Sequence, residues 1–123
     1  METIVYAKLA AETGLTSILS TRIYPVQPTT DTLLPILVFT RVTTEDFLNI
    51  AGTSSLHKYE YIFDYWAINL DTCLSIASAL YTCLQGWKDA NCQGAFRQNT
   101  LALEEEFENG TVFHGQSTFT IFG

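Results

Sequence analysis

The residues with chemistry to offer are few and scattered. The two histidines, His57 and His114, sit in neither an HExxH pattern nor a Cys/His cluster, the spacings at which imidazoles gather around a metal ion. There is no GxSxG elbow and no phosphate-cradling GxxxxGK[ST] loop. The three cysteines, Cys73, Cys83 and Cys92, are an odd number without a CxxC pair, which argues against both a disulfide scaffold and a zinc site. On one helix Cys73 and Cys83 would lie about 15 Å apart, too far to bridge. Buried free thiols in a reducing cytoplasm are expected. Asn109-Gly110-Thr111 matches a glycosylation acceptor, but the N-terminus lacks the basic stretch and apolar core of a signal peptide. Asn-Gly is instead read as a tight hairpin turn.

The densest cluster is Glu104-Glu105-Glu106-Phe107-Glu108. On a strand Glu104, Glu106 and Glu108 share one face, and Glu105 and Phe107 the other. Like charges in a row repel unless solvated. Three readings stay open: a wet face protecting an edge from aggregation, a carboxylate metal cluster, or an acidic surface such as a ring lumen past which DNA slides without sticking. The expectation for catalytic, cofactor and metal residues is none.

The elements that must position these groups alternate clearly. Residues 2 to about 13 read as a helix capped by Thr3 and stopped at Gly14, with Leu15, Ile18 and Leu19 continuing as a short helical turn or apolar loop. Arg22–Val26 is a short extended piece that Pro25 keeps out of a sheet centre. Pro35 opens a strand from Ile36 to Thr44, with Ile36, Val38, Thr40 and Val42 on one face and Leu37, Phe39, Arg41 and Thr43 on the other. Both faces start apolar, so this end is expected to be buried on both sides. The segment 46–57 is a connection with a Gly52-Thr53-Ser54-Ser55 tip and three large apolar flanking residues, Phe47, Leu48 and Ile50; His57 is its loop histidine. Lys58 to Ile68 is the strongest strand, alternating Tyr59, Tyr61, Phe63 and Tyr65 with Lys58, Glu60, Ile62, Asp64 and Trp66.

Asp71 is the expected N-cap of a helix reaching about Gln85. Its apolar stripe is Leu74, Ala77, Leu80, Tyr81 and Leu84, with Cys73 and Ile76 beside it, and Gly86 stops it. Residues 87–99 are mostly loop, with strand possible at Ala95–Gln98. Thr100–Phe107 and Thr111–Phe122 form a hairpin, the latter with Phe113, Ser117, Phe119 and Ile121 on one face. The class is α+β: one domain over 1–123, a mainly antiparallel sheet of four to five strands with two helices on one face. The other face then needs a cover, which an oligomer supplies.

Composition points the same way. Charged residues are 15% and hydrophobic residues 47% of the 123-residue chain, against about 25% charged in ordinary soluble domains. Such a surface is expected to be covered in part by a partner. The net charge is −7, and no two of the six basic residues adjoin. Strong nucleic-acid binding and an anionic membrane surface are both disfavoured. No apolar run approaches the roughly 18 residues that span a bilayer.

In order along the chain, Arg22-Ile23-Tyr24-Pro25, Leu34-Pro35-Ile36-Leu37-Val38-Phe39, Phe63-Asp64-Tyr65-Trp66-Ala67, the helix with Ala77 and Leu80, and a last strand ending at Phe119 and Phe122 resemble the siphophage tail-completion, or tail-to-head joining, proteins. The resemblance implies an α+β structural virion protein at the head–tail junction, assembled in the bacterial host cytoplasm. It would be a subunit of a hexameric ring on the head-proximal end of the tail tube, ending tail polymerisation. Implied partners are copies of itself, the tail tube protein and a head-completion protein, with DNA passing through the lumen. No cofactor and no catalytic residue carry over. Phe47, Leu48, Ile50 and Leu56 exceed the polar turn expected of the family and are the expected interface. Glu104, Glu106 and Glu108 are the expected lumen or solvated face. The alternatives are another connector layer, such as head completion or stopper, and a small-molecule-binding or catalytic α+β domain using His114 and the glutamates.

Overall fold

The computed structural model describes residues 2–19, 23–24, 35–46, 57–88, 92, 94–107 and 110–123, with the backbone alone at 43, 45–46, 101–107 and 110–111. Strict alternation makes the central strands. β1 (Ile23–Tyr24), β2 (Ile36–Asp46), β3 (His57–Ala67), β4 (Gly94–Phe107) and β5 (Gly110–Phe122) form one sheet in the order β1-β2-β3-β5-β4. All pairs are antiparallel except β1 with β2. Three helices, α1 (Glu2–Ala10), α2 (Thr13–Leu19) and α3 (Leu70–Leu84), accompany it. The α+β class stands, with five strands and three helices among the described residues. β1 lies at an edge, where the following proline is tolerated.

The core lies on one face of the sheet. Phe39, Tyr61, Phe63, Tyr65, Phe119 and Ile121 point into it, against Val5 and Leu9 of α1, Leu15 and Leu19 of α2, and Cys73, Ile76, Leu80, Cys83 and Leu84 of α3. Each of these large side chains contributes about 1.5–3 kcal/mol by leaving water. Phe63 and Phe119 meet edge to face at 5.5 Å, the arrangement the ring quadrupoles favour. As expected, β2 begins buried on both faces: Ile36, Leu37, Val38 and Phe39 are all inaccessible.

Several local expectations are corrected. The first helix ends at Ala10 instead of about 13, and the short helical turn expected at Leu15–Leu19 is α2, which begins at Thr13, so Gly14 lies inside α2 rather than stopping α1. Thr3 sits within α1. The N-cap of α3 is Asn69, not Asp71: Asn69 Oδ1 accepts from the Thr72 backbone N–H at 2.8 Å, and Asp71 falls in the first turn. Of the expected α3 stripe, Leu80 and Leu84 are buried, but Leu74 is 52% and Tyr81 42% exposed. Cys73, Ile76 and Cys83 take their place, rotating the buried arc toward the cysteines. Gly86 does end the helix, at φ +75°.

Two strands carry irregularities that break alternation. In β2 the register shifts between Arg41, opposite Tyr61, and Thr43, opposite Glu60. Thr43 therefore leaves the face it was expected to share with Phe39, and Val42 is half exposed. β4 is a single strand from Gly94, where mostly loop was expected as far as 99, with a shift between Arg97 and Asn99. Such bulges bend a strand and flip its parity. His57 begins β3 rather than sitting in a loop, and exchanges two backbone hydrogen bonds with Gly123.

Candidate functional site

The expected interface residues Phe47, Leu48, Ile50 and Leu56 lie outside the described residues, as does Glu108. The strand ends that flank the 47–56 segment, Asp46 and His57, pair with each other. They stand at the end of the sheet where Lys58 and Gly94 both pair with Phe122. Glu104 and Glu106 are on β4, opposite Phe113 and Thr111, while His114 is opposite Leu103. In the register of β4 and β5 the two glutamates thus alternate with Leu103, the partner of His114.

His114 has other company, which sequence reading missed. β3 and β5 are neighbours, and Trp66 lies opposite His114 in register. The two rings stack at 4.5 Å between centroids and 10° between planes. His114 Nε2 is 2.8 Å from Asp64 Oδ1, and Gln116 Nε2 donates to the same oxygen at 3.1 Å. Asp64, Trp66, His114 and Gln116 occupy the sheet face opposite the core. The signal was the shared parity of Asp64 and Trp66, but their partners follow only from a strand order that differs from chain order. The arrangement orients one imidazole against a carboxylate, as an acid–base pair requires.

Further along that face Gln98 Nε2 donates to Thr120 Oγ1, and Phe96 packs edge to face on Phe122 at 6.2 Å. Phe96 is about half exposed. No helix among the described residues covers this face. The core side holds its own polar pair, where the Tyr65 and Ser117 hydroxyls lie 3.0 Å apart and Ser117 is 2.6 Å from Thr100 Oγ1.

The cysteines are all buried and free. Burial raises the Cys73 thiol, and raises Cys83 to about 11, so they stay protonated and weakly nucleophilic at neutral pH. Burial and the neighbouring Glu2 carboxylate push the Tyr61 phenol up. Glu2 pairs with Arg41 at 3.1 Å across α1 and β2. Among the described residues, no three His, Cys, Asp or Glu side chains are placed to hold a metal ion. No helix among them is long and apolar enough to cross a membrane.

Basic side chains gather at one corner. Arg97 of β4 lies over the Tyr81 ring at 4.4 Å, and its backbone N–H is bonded to Gln85 Oε1. Lys8 of α1 lies 5.7 Å over Trp87, next to the exposed Lys88. Trp87 N–H is bonded to the Leu84 carbonyl and Gly86 N–H to Ala95. Half of the chain's six Lys and Arg residues therefore surround the last turn of α3, the helix end that favours positive charge.

No protein-family model matches the chain, and no curated protein matches it. Among solved structures it is similar to a chain from the "Virion of native gene transfer agent (GTA) particle", at 15% identity and a TM-score of 0.77 over 98% of this chain and 92% of that one. At that identity the likeness is one of fold, and it extends over the whole architecture described above.

Proposed function

We propose that this chain is a structural virion protein and, more specifically, one subunit of a ring at the head–tail junction. It caps the head-proximal end of a tail tube, ends tail polymerisation and joins the tail to the head. The observation that carries the reading is the likeness of fold, across 98% of the chain, to a chain of a virion particle. Two features of the molecule support it. The charged fraction is only 15%, and the helices among the described residues pack on one face of the sheet, leaving part of the other, around the half-exposed Phe96, for a neighbour.

The mechanism is geometric rather than chemical. A contact between two different patches of one chain, repeated by rotation, closes a ring. The apolar Phe47, Leu48, Ile50 and Leu56 supply part of that contact. The layers above and below are a head-completion protein and the tail tube protein, and DNA passes without sequence-specific binding. Purified chain, weighed by native mass spectrometry, is expected to form a small closed multiple of 13.8 kDa, alone or on isolated tail tubes. A strict monomer under both conditions contradicts the ring. Replacing Phe47 and Leu48 by Asp is expected to abolish incorporation into virions while the circular dichroism spectrum stays unchanged; normal incorporation removes that interface assignment. The same measurement made with isolated heads separates the reading from a head-completion or stopper layer.

A further inference from the structure

β4 carries opposite charge at its two ends. Near its start Arg97 joins Lys8 and Lys88 around the last turn of α3, with the Tyr81 and Trp87 rings beneath. Near its end come Glu104, Glu105 and Glu106. From Arg97 to Glu104 the strand covers about 23 Å at ~3.3 Å per residue. β3 stops at Ala67, opposite Phe113. Glu105 and Glu106 pair with Val112 and Thr111, beyond that last β3 pair. They therefore belong to a two-stranded extension projecting past the sheet, at the opposite end from the basic corner, and one copy cannot bring its two ends together.

We infer that the basic corner of Lys8, Lys88 and Arg97 docks the Glu104–Glu106 extension of a second copy of this chain. Charge complementarity selects the occupant. The chain is acidic overall at −7, yet half its cations stand at this corner, and none of the three forms an ion pair among the described residues. Glu12, close enough to help raise the Cys83 thiol, and Asp89, beside Lys88 in the sequence, offset part of their charge. The densest run of opposite sign in the sequence is its own glutamate extension. Three cations are too few to hold a nucleic acid firmly. The half-exposed Tyr81 ring lies 4.4 Å from the Arg97 guanidinium carbon, and aromatic–arginine pairs are typical of interface anchors.

Corner and extension are different surfaces, so the contact is heterologous and repeats from copy to copy, as a ring requires. This rests on the ring reading and deepens it by placing the glutamates between subunits instead of along the lumen.

The test uses two charge-reversed full chains, K88E/R97E and E104K/E106K, weighed by native mass spectrometry and sedimentation at low and high salt. Wild type is expected to assemble at low salt and to loosen as salt screens the contact. Each variant alone is expected to need at least about tenfold more protein to assemble. Mixed in equal amounts, the two are expected to recover assembly, because each corner then meets an extension of opposite sign. Variants that assemble as wild type does overturn the contact and leave the ring reading standing. A mixture that fails to assemble although both chains keep the wild-type circular dichroism spectrum also overturns it. A wild type that stays monomeric at low salt and adds to no virion overturns both.

Discussion

The Tyr65 ring fills the space that a Cβ on Gly115 would occupy. The two residues face each other across β3 and β5, and the tyrosine hydroxyl reaches on to Ser117 two positions along. Glycine at 115 is thus a packing requirement, which lets a large aromatic lie flat on the neighbouring strand. Gly115→Ala is expected to destabilise the fold by about 1–3 kcal/mol through overpacking, read as a lower urea midpoint with an unchanged slope. A second change, Tyr65→Leu, is expected to relieve part of that loss in the double variant. Equal stability of Gly115→Ala and wild type would show that the ring moves aside freely.

The start of α3 gives a paired comparison. Asn69 accepts from both the backbone N–H and the hydroxyl of Thr72, whereas Asp71 lies inside the first turn. Asn69→Ala is expected to cost about 1 kcal/mol as a lost cap. Asp71→Ala is expected to cost less, about 0.3–1 kcal/mol, through the helix dipole alone. Thermal melts of both variants decide the order, and the reverse ranking would restore Asp71 as the cap.

The thiols set a pH dependence. Burial, the larger cause, and Glu12 raise Cys83 to about 11 from an ordinary value of 9.0, against the lowering effect of Lys8. Cys73 is raised too, again by burial. The folded state therefore keeps its thiol protons to higher pH than the unfolded chain does. Their contribution to stability is complete below about pH 9 and is lost as pH climbs toward about 11. Urea midpoints are expected to fall across that window, and to fall less in Cys83→Ala. Alkylation at about pH 8 is expected to be slow for the native chain and fast once it is unfolded.

Where period and partner agreed, the sequence was a good guide. β3 and β5 follow unbroken alternation, so Tyr61, Phe63, Phe119 and Ile121 announced the core face. β4 and β5 pair as the expected hairpin, but Phe107 lies opposite Gly110, so Gly110 opens β5 instead of sitting in the turn, and Asn109 lies outside the described residues. The start of β4 was legible only as a possible strand at Ala95–Gln98, separate from Thr100–Phe107, because the shift beside Gln98 inverts parity there and leaves Ala95–Thr100 with no single period. The α3 face was misjudged because Leu74 and Tyr81 fall within an arc of the helix adjacent to the buried one. Only the packing of the helix on the sheet shows that the buried arc runs from Cys83 through Ile76 and Leu80 to Cys73 and Leu84. The Asp64–His114 pair and the Trp66 stack needed the adjacency of β3 and β5, a long-range fact that no local pattern encodes. The basic corner joins Lys8, Lys88 and Arg97 from three separate stretches, and so was invisible as a run of charge.

The central claim is the position in the particle. Immunogold electron microscopy of virions carrying this chain with a small exposed epitope tag tests it directly. Gold is expected at the head-proximal end of the tail, on the junction itself. Gold along the tail tube, over the head shell or at the distal tip, or virions without label, would contradict it.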